Sequence, residues 1–323
     1  MRRLNDDHGA TMVIVAIVVV VLLGMVGLVV DVGAMYQERR ELQNGADAAA
    51  LAIAESCGVG RACGTGYAHA AAVQYADANS EDGVSTVADV NLDEGGKTVT
   101  VRTRTLTADG GSKLEPFFAR VVGFDGATVE ATATAIWGNP RLLRSTIPLI
   151  ISECEFPFEA DLPTAPRTIY FHDGNNTEPC NAVAGMDTDG DGKLSGGFGW
   201  LVSSGGCEVS LESDSWVTDD PGASPTSGCA VDFLASLVGE EVPLPFFVDT
   251  DGLGSNGRYY IGGFGMFHIT GYNFGGGFKA PTTATAPCSG DERCLSGYFT
   301  TGVIYDGEPG GTDHGIVLVK LVK

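Results

Sequence analysis

The chain has 323 residues, with 41 acidic against 19 basic, a formal net charge of -22, and 46 glycines. So acidic a surface repels phosphate backbones and argues against nucleic-acid binding, while its length leaves room for two domains, or one plus a membrane segment. Glycine at about twice its usual ~7% share, crowded into the second half, favours short strands and turns over long helices.

Residues 1–9 are polar and carry Arg2 and Arg3. From Ala10 to Val30 run 21 residues with no charge and one polar side chain, Thr11. As a helix this stretch is about 30 Å long, the thickness of a bilayer's hydrocarbon core. A secretory h-region is shorter, ~7–15 residues. Val32-Gly33-Ala34 offers the small residues of a cleavage site, but the length favours a retained transmembrane helix. Arg39 and Arg40 beyond the span nearly balance Arg2 and Arg3, so basic-residue counting alone does not orient it.

The cysteines do orient it. Cys57, Cys63, Cys154, Cys180, Cys207, Cys229, Cys288 and Cys294 all follow the span. An even number there reads as disulfides made outside the cytoplasm. Cys57/Cys63 and Cys288/Cys294 share one short spacing that suits local loops; the other four stay unassigned among the ~100 pairings that eight cysteines allow. A zinc site would want C-x2-C or closely spaced histidines, and the sequence has neither. The expectation is a cytoplasmic N-terminus with the bulk of the chain extracytoplasmic.

Helical periodicity continues past Val30. Met35, Leu42, Ala46, Ala49 and Ile53 recur at spacings of three, four or seven, with charged and amide residues on the other faces. This predicts one helix from the membrane to about Glu55, with Gly45 its weak point at roughly 1 kcal/mol against alanine. The small-residue face is the candidate packing surface, for a partner helix or for the chain's own head.

Gly9-Ala10, the valine-rich span, Gly27, Asp31, Gly33, Arg39-Arg40, Leu42-Gln43-Asn44 and the run Ala46 to Ala52 together resemble the N-terminal region of TadE/TadG-like proteins of the Flp (Tad) pilus assembly system. The fifth residue after Gly9 is Ile14, where processed pilin-like members have glutamate, which moves the resemblance toward the unprocessed, TadG-like side. A D-x-S-x-S metal motif of the kind many TadG-like proteins carry is absent. The resemblance implies a structural role beside other pilus-assembly proteins or pilin-like subunits, met through the stalk helix.

Residues 31–140 then comprise the stalk and a small α+β head. "VADVNLD" and "KTVTVRTRTL" alternate as a hairpin through Gly95-Gly96, "LEPFFARVVG" has helical spacing from Leu114 to Gly123, and "ATVEATATAIWG" alternates again. Order and length resemble a pilin-like head. Residues 141–323 carry short β-branched and aromatic runs separated by Gly, Pro, Ser and Asp, which predicts a β-rich, disulfide-containing extracytoplasmic domain. The fold class is therefore α+β behind a transmembrane helix.

Inside that domain, Asp187, Asp189 and Asp191 followed by Gly192 give the first half of a calcium loop. The Lys193 carbonyl and Ser195 fall at positions seven and nine, while Phe198 stands where a bidentate acid belongs. Calcium is the expected cofactor, set against an Asp/Gly-rich turn holding no ion. Catalysis finds little support. The sequence has no G-x-S-x-G, no H-E-x-x-H and no P-loop, and its five histidines are scattered. The functional expectation is a membrane-anchored, non-catalytic pilus-assembly component. The alternatives are a calcium-stabilised surface adhesin or ligand-binding protein anchored by the same helix and, from a third class, an extracytoplasmic hydrolase.

Overall fold

A computed structural model describes residues 7–322 apart from 82–84, 108, 158–161, 172–179, 182–192, 195, 253–256, 281–287 and 289. The chain divides into two units, Met1–Ile136 with Leu321–Lys323, and Trp137–Lys320.

The first unit is built on one helix, α1, Asp7–Gly58, of 52 residues. At ~1.5 Å per residue it is about 78 Å long. Its side chains from Thr11 to Val30 are exposed, with Gly27 the one buried position among them. A helix apolar on all faces and bare of protein contacts has the length and composition to cross a membrane. From Leu42 on, the same helix becomes a core element: Leu42, Ala46, Ala49, Ala50, Ile53 and Ala54 are buried. Cys57 and Cys63 are disulfide-bonded to each other, closing the loop that leads into α2, Thr65–Ala78.

Sequence periodicity had assigned no element to α2. Its contact face is alanine only, Ala68, Ala71, Ala72 and Ala76, so hydrophobic contrast between its faces is small. Strands β1 (Ser85–Asp93), β2 (Thr98–Thr105) and β3 (Glu130–Gly138) form an antiparallel meander. On β2, Val99, Val101, Thr103 and Thr105 are buried, the period-two pattern of a strand with one covered face.

The predicted helix Leu114–Gly123 does not form. Leu114 bridges Ala127, and only Ala119–Val122 makes a 3-10 turn. Pro116 has no amide hydrogen to give, and the next three amides are held by a side chain of α1, described below.

The second unit is β-rich, as its composition implied. Its strands are β4 (Pro140–Ser145), β5 (Leu149–Ser152), β6 (Arg167–Tyr170), β7 (Cys180–Asn181), β8 (Lys193–Leu194), β9 (Phe198–Trp200), β10 (Val209–Glu212) and β11 (Trp216–Thr218). After a short helix α3 (Val231–Ser236) come β12 (Glu241–Asp251), β13 (Arg258–Gly275), β14 (Phe278–Ala280), β15 (Cys294–Thr300), β16 (Gly302–Ile304), β17 (Glu308–Pro309) and β18 (Ile316–Val322). The main sheet runs β6-β15-β13-β12-β5-β9, with β11 and β14 also on β13. Its spine is the antiparallel β12–β13 pair, while β12 and β5 are parallel. One apolar cluster holds Phe198, Trp200, Phe246, Phe267, Phe274 and Phe299, and a second holds Leu143, Ile150, Phe247, Ile261 and Ile316. Cys207–Cys229 and Cys288–Cys294 are bridged, Cys154 is also disulfide-bonded, and among the described residues no cysteine is free.

Candidate functional site

The first unit gathers its unusual chemistry at one place, where the apolar half of α1 gives way to the polar half. Gly27 and Asp31 are four residues apart and share one helix face. A methyl group at Gly27 would lie 2.8 Å from the Cβ and Cγ of Phe118. The helix surface is flat there because Phe118 needs the space. One turn further on, Asp31 is only 6% exposed. Its Oδ1 accepts hydrogen bonds from the amides of Phe117 (2.8 Å) and Phe118 (3.2 Å), and its Oδ2 from those of Phe118 (3.0 Å) and Ala119 (2.6 Å).

A carboxylate that takes three consecutive amides acts as a cap for the turn beginning at Ala119, supplied from 86–88 residues away in sequence. Burial by itself pushes the Asp31 carboxyl up. The amides of Ala119, Phe118 and Phe117 together outweigh that, and the group sits below the ordinary value of 3.8. It is charged at neutral pH and held by directed, charge-assisted bonds.

Along the stalk the contacts continue. The Thr103 hydroxyl donates to the Leu42 carbonyl at 2.9 Å, and the Gln43 amide donates to the Thr132 carbonyl at 3.2 Å and to Asp47 at 2.8 Å. Gly45, expected as a weak point, is instead a contact point. A methyl there would stand 3.1 Å from the Ala76 Cα and 3.4 Å from its carbonyl oxygen. Near the end of α2, the Glu81 amide donates to Glu41 and the Gln37 side-chain amide to the Glu81 carboxylate.

Of the predicted packing residues, Leu42, Ala46, Ala49 and Ile53 are buried and Met35 is half-buried. The sequence ends the uncharged stretch at Val30, and sequence reasoning missed that Asp31, the next residue, caps a distant turn. The available signal was the Gly27/Asp31 spacing beside a proline-aromatic loop. Gly33 has open space around it, and Arg39 and Arg40 are exposed, Arg40 standing 5.7 Å over the Tyr36 ring. The structure assigns neither a packing role.

The calcium candidates Asp187, Asp189, Asp191 and Ser195 lie outside the described residues. Lys193 opens β8, whose partner strand is β7. Among the described residues no group of three or more His, Cys, Asp or Glu side chains is placed to hold a metal ion.

Comparison with known families places a match on this same helix. Residues 9–55 match Tad, the putative Flp pilus-assembly TadE/G-like family. The match is confined to α1. Searches of curated proteins and of solved structures find no match. The matched segment contains Gly27, Asp31, Leu42, Gln43 and Gly45, each of which meets the head that follows. Within the matched segment, these contacts fasten the head to α1.

Proposed function

We propose that the protein is a membrane-anchored, non-catalytic structural component of an Flp-type (Tad) pilus or a related surface apparatus. Its N-terminus is cytoplasmic, and its head and β-rich domain stand outside. The observation that carries this reading is the Gly27–Asp31 clamp. It holds the head directly on the TadE/TadG-like helix at the point where that helix stops being apolar. A mere tether would need no such fixed seat, whereas a subunit that packs beside other helices needs its head presented at a set height and rotation. The exposed face of the stalk is the surface offered to other pilus-assembly proteins or pilin-like subunits.

Purification of the full chain from its own membranes tests this. Co-recovery of pilus-assembly components, lost in Asp31→Ala while the anchored protein persists, is the expected result. Recovery of a glycan or host ligand with no pilus component would instead favour the adhesin reading.

Calcium in the loop at Asp187, Asp189 and Asp191 is proposed from the sequence pattern alone. Millimolar calcium should raise the melting temperature over that in EGTA, and an unchanged temperature would remove the ion from the account.

A further inference from the structure

The loop clamped by Asp31 carries more exposed apolar surface than a head domain needs. Phe117 is 80% exposed and Val121 88% exposed, and Phe118 and Phe124 are 44% exposed. The Phe117 and Phe118 rings pack edge to face with centroids 5.0 Å apart, so they form a fixed pair. Scattered single exposures are ordinary, but four apolar side chains within eight residues mark an interaction surface.

Its position identifies the occupant. Phe118 occupies the space beside Gly27, four residues inside Asp31, which is about 6 Å deeper along the helix. It therefore lies alongside the last turn of the apolar stretch Ala10–Val30, and the loop's apolar surface continues the bare apolar surface of α1.

The backbone fits the same environment. Pro116 has no amide hydrogen, Asp31 takes those of Phe117, Phe118 and Ala119, and the amides of Val121, Gly123 and Phe124 bond to Phe118, Arg120 and Ala119 carbonyls. Satisfying backbone donors internally is the condition for polypeptide near hydrocarbon, where no water is present to accept them. Exposed Lys113 precedes the apolar residues, and Arg120 lies among them, its guanidinium 2.9 Å from the Glu115 carboxylate; a long basic side chain such as Lys113 at the edge of an apolar bed can reach lipid headgroups.

We infer that the loop Leu114–Phe124 is a second membrane-contacting element, which seats Phe117, Phe118, Val121 and Phe124 at the headgroup–acyl boundary of the lipid bilayer on the head side of the span. The inference rests on the membrane-anchor reading above. The head is thereby held at two points, by the span and by this wedge, which fixes its tilt to the membrane plane as aromatic belts fix helices.

The test uses the full chain in vesicles of phosphatidylcholine and phosphatidylglycerol. Because no described cysteine is free, a thiol-reactive NBD dye under non-reducing conditions reports one introduced site at a time. Val121→Cys probes the loop, Val20→Cys the span, and Glu94→Cys the β1–β2 turn. The expected result is blue-shifted emission with loss of fluorescence to shallow doxyl lipids for Val121→Cys, loss to deep doxyl lipids for Val20→Cys, and neither for Glu94→Cys. If Val121→Cys behaves like Glu94→Cys while Val20→Cys is quenched, the wedge is wrong and the anchor stands. Blue-shifted emission at Val121→Cys without doxyl quenching means that protein covers the loop, which also overturns the inference. Absence of quenching at Val20→Cys overturns the anchor reading itself.

Discussion

Three single residues show how placement sets a side chain's role. Glycine at position 45 costs a helix roughly 1 kcal/mol of propensity, yet the close approach of the Ala76 backbone leaves little room for anything larger. Gly45→Leu, an excellent helix former, is expected to lower the stability of the first unit by about 1–3 kcal/mol through overpacking. A variant as stable as the parent in chemical denaturation would show that α1 and α2 are not so tightly apposed. Gly27 obeys the same logic against Phe118. In the second unit, His314 lies edge-on to Phe156 and Phe246, with centroids 5.5 and 4.8 Å away. Burial lowers its pKa from 6.5, and the neighbouring Asp313 charge only partly offsets that. With the folded pKa below the unfolded one, the unfolded chain binds more protons as pH falls below 6.5, so stability is complete above that value and declines on acidification. Melting temperatures from pH 7.5 to 5 should fall in the parent and fall less in His314→Phe, and equal slopes would contradict this.

At the scale of elements, legibility followed locality. The span and stalk are written in a local pattern, an uncharged run followed by small and apolar residues at helical spacing, so α1 was read almost to its end. The β1–β2 hairpin and the two short cysteine pairs are local too. The segment Leu114–Gly123 was misread because its helical spacing is real, but Asp31, far away in sequence, takes the amides a helix would need. The alanine face of α2 was invisible because alanine scarcely distinguishes inside from outside. In the second unit the strand-forming runs were plain, whereas the order β6-β15-β13-β12-β5-β9 depends on contacts that no short window contains. The same holds for Cys207–Cys229, which closes a separation of 22 residues. By loop-closure entropy that bridge contributes about 3 kcal/mol. Cys207→Ala/Cys229→Ala should lose about that much in urea unfolding, and a negligible loss would mean that the surrounding sheet alone fixes the segment.

Taken whole, the chain gives a single helix two kinds of surface. Its first half is bare and apolar, its second half is the core of a head, and the Gly27–Asp31 face joins the two regimes. The acidic, cysteine-containing bulk of the chain suits an oxidising exterior, and the TadE/TadG-like match on residues 9–55 falls on the joint rather than on the β-rich domain. The central claim, that Asp31 fastens the head to α1 at the end of its apolar half, is tested most directly by hydrogen exchange on the full chain in lipid nanodiscs. The account predicts strong protection of the Phe117, Phe118 and Ala119 amides in the parent, and its loss in Asp31→Ala with β2 protection retained. Amides 117–119 that exchange at the same rate in both proteins would contradict it.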